Sequence, residues 1–118
     1  MKDALIIPER ASTDNGLSGE RIYRFRTWEP LVGSVLVVHP PTGGPVSVEL
    51  VSATEVGGRG ECFSLVFHGP DRPLLEQYNY RVEHPALGEF PLFLVPIGPD
   101  AQGRQQLEAF VNRPELEP

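Results

Sequence analysis

Apolar and polar side chains alternate with a period of two through most of this chain, the mark of extended segments with one buried face. Tyr78, Tyr80 and Val82 alternate with Asn79, Arg81 and Glu83, which predicts a strand over 78–84 with the first three side chains inward. Phe63, Leu65 and Phe67 share one face of the segment 61–68, and Cys62, Ser64, Val66 and His68 share the other. Val46, Val48 and Leu50 alternate with Ser47, Glu49 and Val51. The β-branched run Val35–Val38 precedes them across the turn cluster Pro40–Pro45, so the two segments are expected to form a hairpin. Glu89–Ile97 is apolar on both faces, which predicts a central or covered strand whose pairing is limited by Pro91 and Pro96. A last strand, Arg104–Asn112, follows a turn at Asp100–Gly103. Near the start, Tyr23 and Phe25 alternate with Arg24 and Arg26, which predicts a half-buried strand over 21–26.

One segment breaks the pattern. Thr27–Gly33 carries a capping-type Thr, a Pro suited to a first turn and a terminating Gly, which predicts one helical turn over 27–32 docked by Trp28 and Leu31. With 13 prolines and 12 glycines punctuating short apolar runs, a helical bundle is excluded. The expectation is an all-β domain over 20–112, a small antiparallel barrel or two-layer sandwich of six or seven strands with that turn closing an end. Residues 1–19 read as a flexible N-terminal arm with a short strand at Leu5–Ile7, and 113–118 as a polar C-terminal tail.

The chain's 118 residues suffice for one domain with one core. Ten basic against 16 acidic side chains give a net charge of −6, which argues against nucleic acid as a partner. Cys62 is the single cysteine, so no intrachain disulfide forms. No apolar run approaches the roughly 18 residues of a membrane span, and the segment Ala4–Ile7 is too short for a signal peptide. The expected setting is cytoplasmic, with no membrane association.

Chemistry-bearing residues are sparse. His39, His68 and His84 stand at strand ends, where neutral imidazoles can converge on zinc, but where a surface or turn histidine is ordinary. Cys62 would need a base, and His68, six residues on, lies about 20 Å along the strand. Ser64 lacks the glycines of a nucleophile elbow, and Gly57–Gly60 joins two strands instead of opening a helix that would bind phosphate. Glu49, Glu55, Glu61, Asp71, Glu76, Glu83, Glu89 and Asp100 are spread singly, so no acid–base dyad is assigned. Tyr23 and Phe25 resemble a single-strand-binding strip, but alternation sets Arg24 and Arg26 on the opposite face. No catalytic residue, cofactor or metal ligand is assigned.

Several segments together carry a family resemblance: Trp28–Ser34, Phe63–Pro70, Leu75–Gln77, Tyr80–Phe90 and Leu92–Asp100. The chain resembles a family of small bacterial proteins known as a domain of unknown function, the DUF6916-like group, over roughly Thr27–Asn112, most specifically over Tyr80–Pro99. Gln106–Asn112 departs from that pattern, which expects an aromatic followed by Glu-Ala-Val-Phe-Asn. The resemblance implies no activity. It implies an accessory piece of phage-tail-like gene clusters. Turn chemistry alone explains its Gly-Pro, His-Pro and Leu-Gly pairs, with Pro85 and Gly88 shaping a tight reversal.

The expected function is therefore a non-enzymatic structural or protein-interaction module, with a protein partner or self-association through a sheet edge or apolar patch. The alternative is a small-molecule or metal-binding β-barrel using His39, His68, His84 and Cys62.

Overall fold

Period-two alternation becomes strand wherever its apolar face finds cover, and from Val35 onward it does so throughout. The computed structural model describes residues 22–56 and 62–112. A helix α1 (Phe25–Trp28) runs into a 3-10 turn (Glu29–Leu31), followed by β1 (Val35–His39), β2 (Val46–Glu55), β3 (Cys62–His68), β4 (Tyr78–His84), β5 (Gly88–Pro99) and β6 (Gln105–Asn112). The six strands close into a barrel in the order β1-β2-β3-β6-β5-β4, every neighbouring pair antiparallel. Closure decides the architecture between barrel and sandwich. It is made by β1 against β4, with Val38 opposite Val82.

Strand direction alternates all the way round such a ring, so the strand ends gather at two rims. The upper rim holds the β1–β2 turn, the β3–β4 loop 69–77 and the β5–β6 turn. The lower rim holds the start of β1, the β4–β5 turn and the end of β6, and the helix precedes β1 there. Alternate residues fill the lumen: Leu36, Val38, Leu50, Phe63, Leu65, Phe67, Val82, Leu94 and Leu107 are almost wholly buried. Six strands enclose less width than the roughly eight at which side chains just fill a barrel, so the interior is packed core.

The expected strand over 21–26 is replaced by a turn at Ile22–Tyr23 and the start of α1. Ile22, Phe25 and Trp28 recur every third residue, which suits one side of a helical turn as well as alternation suits a strand. Burial of Ile22 and Trp28 selects the helix. The indole N–H of Trp28 donates to the Ile22 carbonyl at 2.9 Å, and its ring meets Phe67 and Phe90 edge-on at 6.5 and 5.7 Å. Phe25 packs on Phe63 at 6.0 Å. The helical residues thus span Phe25–Leu31 instead of 27–32, with Arg24 in the N-cap position in place of Thr27. Gly33 follows at φ +98°, and its N–H donates to the Leu50 carbonyl.

One further expectation is corrected and another is met by its first alternative. Tyr78 is 47% exposed because, as the first residue of β4, it lies at the rim beyond the packed lumen. β5 is central, between β4 and β6, but its outer face is uncovered, leaving Phe93 and Ile97 about half exposed. Pro96 lies at the register shift against β6, whereas Pro91 pairs with Arg81 in an unbroken register. The β4–β5 reversal is as expected, with Leu87 N–H on the His84 carbonyl and Gly88 at φ +82°. The possible strand at Leu5–Ile7, the loop Gly57–Gly60, Glu61 and the tail 113–118 lie outside the described residues.

Candidate functional site

Two proline-bearing loops face each other across the upper rim. After His39, Pro40 and Pro41 have no N–H with which to continue the ladder, and Gly43 turns the chain at φ +85°. Opposite, Pro73–Gln77 forms a second wall, and Tyr78 and Tyr80 lie between the two. Together they line a groove of about 330 Å³.

The second wall is irregular backbone held chiefly by one side chain. Gln105, buried at the start of β6, accepts from Leu75 N–H at 2.9 Å and donates to the carbonyls of Pro70 and Pro73 at 2.8 and 2.7 Å. Gly69 makes this approach possible, since a Cβ there would sit 3.2 Å from Cγ of Gln105. Leu75 is drawn into the core while its neighbour Leu74 is left 70% exposed. Tyr80 is buried and donates its hydroxyl to the Glu76 carbonyl at 2.6 Å. Burial pushes its pKa up. The Tyr78 ring meets Tyr80 edge-on at 5.2 Å. Among the described residues, the Tyr78 hydroxyl, the Gln77 amide and the Glu76 carboxylate have no hydrogen-bond or ion-pair partner.

The three histidines occupy three separate networks. His39 Nε2 lies 3.2 Å from Glu83 Oε2, and His68 Nδ1 lies 3.2 Å from Asp100 Oδ2, both out of line for a hydrogen bond. His68 Nε2 also meets Gln106 Oε1 at 3.0 Å. Burial opposes the charge of Asp100, but the N–H groups of Arg104 and Gln102 and the Arg104 guanidinium hold its carboxyl below the usual range. His84 lies at the lower rim, where it is the turn histidine expected, beginning the β4–β5 reversal, but it is buried instead of exposed. Among the described residues, no group of three or more His, Cys, Asp or Glu could hold a metal ion.

Among the described residues, Ser34 and His84 form the one hydroxyl–imidazole pair, at 2.9 Å. His84 Nδ1 accepts from Ala86 N–H at 2.9 Å, so the neutral ring carries its proton on Nε2 and donates to Ser34. The Ser34 hydroxyl in turn donates to the Leu31 carbonyl. A catalytic base needs the opposite polarity, with Nε2 free to accept the hydroxyl proton. This pair ties the 3-10 turn to the end of β4. Burial lowers the pKa of His84 and favours the neutral ring. Cys62 is a half-buried free thiol opposite Asn112, and Ser64 donates to Glu108 at 2.6 Å.

The groove was not foreseen, although both of its loops were legible as proline clusters. Leu74-Leu75 in an otherwise polar loop was the available signal, since adjacent residues of an irregular segment seldom both point inward. Gln105 carried none.

Among the described residues no helix is long and apolar enough to cross a membrane. A family model described as Domain of unknown function (DUF6916) matches residues 23–111. No curated protein and no solved structure matches the chain.

Proposed function

The chain belongs to the DUF6916 family, and from that premise we propose that it is a non-enzymatic protein-interaction module that grips an extended segment of a partner in the upper-rim groove. The observation that carries this reading is the fixed second wall: a buried amide, Gln105, holds a loop that presents Leu74 outward. A surface ordered before binding loses less entropy when a partner arrives, so a rigid apolar wall beside an exposed tyrosine supports recognition. The filled lumen favours a rim site over one inside the barrel. The polarity of the Ser34–His84 pair supports a structural role for it.

The test is to select peptides from a random display library against the full chain and map the winners by amide shift perturbation. Selected peptides are expected to move the amides of 42–44 and 74–78, and Leu74→Asp is expected to weaken them about tenfold or more. Footprints elsewhere, or equal binding by L74D, would overturn the assignment. A groove that answers to small molecules and to no peptide would instead favour a small-ligand site.

A further inference from the structure

Building on that reading, we infer that the segment this groove takes is a proline-containing peptide in the polyproline II conformation with a flanking arginine or lysine. Three features of the groove point to this ligand chemistry.

Hydrogen-bonding capacity comes first. A partner that paired as an added strand would need a long edge of alternating N–H and C=O groups, and β1 and β4 pair up to His39 and Arg81, so the β4 edge left open beside the groove is only the three residues Tyr78–Tyr80. The groove walls include Pro40, Pro41 and Pro73, which have no N–H to offer. Among the described residues, two of the groove's unpartnered side-chain groups, beside the Thr42 hydroxyl, are the Tyr78 hydroxyl and the Gln77 amide. Both can donate. A polyproline II segment makes no internal hydrogen bonds and turns its carbonyls outward, while each proline removes a donor that would otherwise need an acceptor. The demands of ligand and groove are complementary.

Shape comes second. A groove of about 330 Å³ between two loops has room for a few residues of an extended segment. Pyrrolidine rings can lie against the exposed Tyr78 ring and Leu74, and proline's fixed φ reduces the entropy lost on ordering. Charge comes third. Glu76 is the single charged residue lining the groove, its carboxylate is unpaired among the described residues, and the whole chain carries −6. A cationic flank on the peptide meets both the local and the overall field.

The test uses three blocked synthetic peptides of equal length titrated into the isotope-labelled full chain at low salt. One carries two X-Pro pairs and a terminal arginine, one replaces the arginine by glutamate, and one replaces the prolines by alanine. The first is expected to move the amides of 42–44 and 74–78, with the other two weaker by about two- to fivefold or more. Glu76→Gln, an exposed substitution, is expected to abolish the preference for arginine over glutamate while the shifted amides stay the same. Equal binding of the alanine peptide, or an arginine preference unchanged in E76Q, would overturn the ligand class and leave the groove as the interaction site. If none of the three binds while library-selected peptides do, the ligand class is again overturned and the function stands. If library-selected peptides also fail to touch the groove, both fall together.

Discussion

Two side chains, His84 and Gln105, are the buried polar residues of the described structure, and they hold opposite rims of one barrel. At the lower rim, His84 links β4 to Ser34 and to the turn at Ala86, but Trp28 and Ile22 are buried beside the same helix. At the upper rim, Gln105 makes three of the four side-chain hydrogen bonds to the β3–β4 loop among the described residues, Tyr80 making the fourth to Glu76, with Leu75 as the loop's buried anchor. One rim is closed by apolar packing with a polar tie laid over it. The other is shaped by a polar tie and leaves Leu74 and Tyr78 in solvent. The difference locates function: packing closes a surface, whereas a hydrogen-bonded loop can be rigid and still open.

The sharpest way to break this comparison is at its apolar side. Trp28→Ala removes the indole from a site with no solvent exposure and deletes the bond to Ile22, so urea unfolding is expected to report a loss of about 3–5 kcal/mol. A loss under about 1 kcal/mol would mean that the helix is dispensable and the lower rim is not closed by packing. Gln105→Leu comes next. It keeps a side chain of similar size but strands the buried Leu75 N–H and frees two carbonyls, at an expected cost of about 2–3 kcal/mol. Hydrogen exchange separates the two variants. Q105L is expected to expose the Leu75 amide far more than core amides such as Leu65, and W28A to speed exchange throughout the barrel.

These contrasts also show how much could be read from residues alone. The strands β3 and β4 were legible because one face of each is buried and the side-chain period is fixed at two. Ile22–Arg26 was misread because four alternating residues fit a strand, while the spacing of Ile22, Phe25 and Trp28 fits a helix equally well. Only their burial decides. Apolar residues on both faces of β5 suggested cover, but whether Phe93 is covered depends on what lies outside it, which no local pattern records. Barrel closure rests on the β1–β4 pairing, a contact between residues more than forty positions apart along the chain. Gln105 reaches a loop 30 residues earlier, and a single polar residue at a strand start announces no such bond. Thus the fold was legible where it is periodic, and the groove was hidden because it is built from irregular backbone and one long-range amide.

Titration sharpens the comparison further, because only one of the two ties can ionise. Burial lowers the pKa of His84 in the folded chain below its ordinary 6.5. The unfolded chain therefore binds more protons in the interval between the two values, and the stability this group confers is complete above about 6.5 and is lost as pH falls through the folded value. Geometry gives the same direction, since a proton on Nδ1 would face the Ala86 N–H and end that bond. Between pH 7 and 5 the urea midpoint is expected to fall more steeply in the natural chain than in His84→Gln, whose amide does not titrate. Parallel slopes would show that His84 is not the titrating tie. Exchange at the Leu75 amide should not share this pH dependence once intrinsic exchange rates are corrected for.

The smallest effect is expected midway along β4, at Arg81. Its guanidinium pairs with Glu89 and approaches Glu83 at 3.6 Å, but all three side chains are about half exposed. Water and salt screen such pairs, and holding long side chains in one arrangement costs entropy that offsets most of the attraction. Arg81→Ala should change stability by about 0.5 kcal/mol or less, and less still in 1 M salt. The contrast with Q105L is the point: both variants delete polar contacts, and only the buried amide leaves a donor that water cannot reach. If R81A cost as much as Q105L, burial would not be what makes a polar tie matter here, and the fixed second wall of the groove would lose its physical basis.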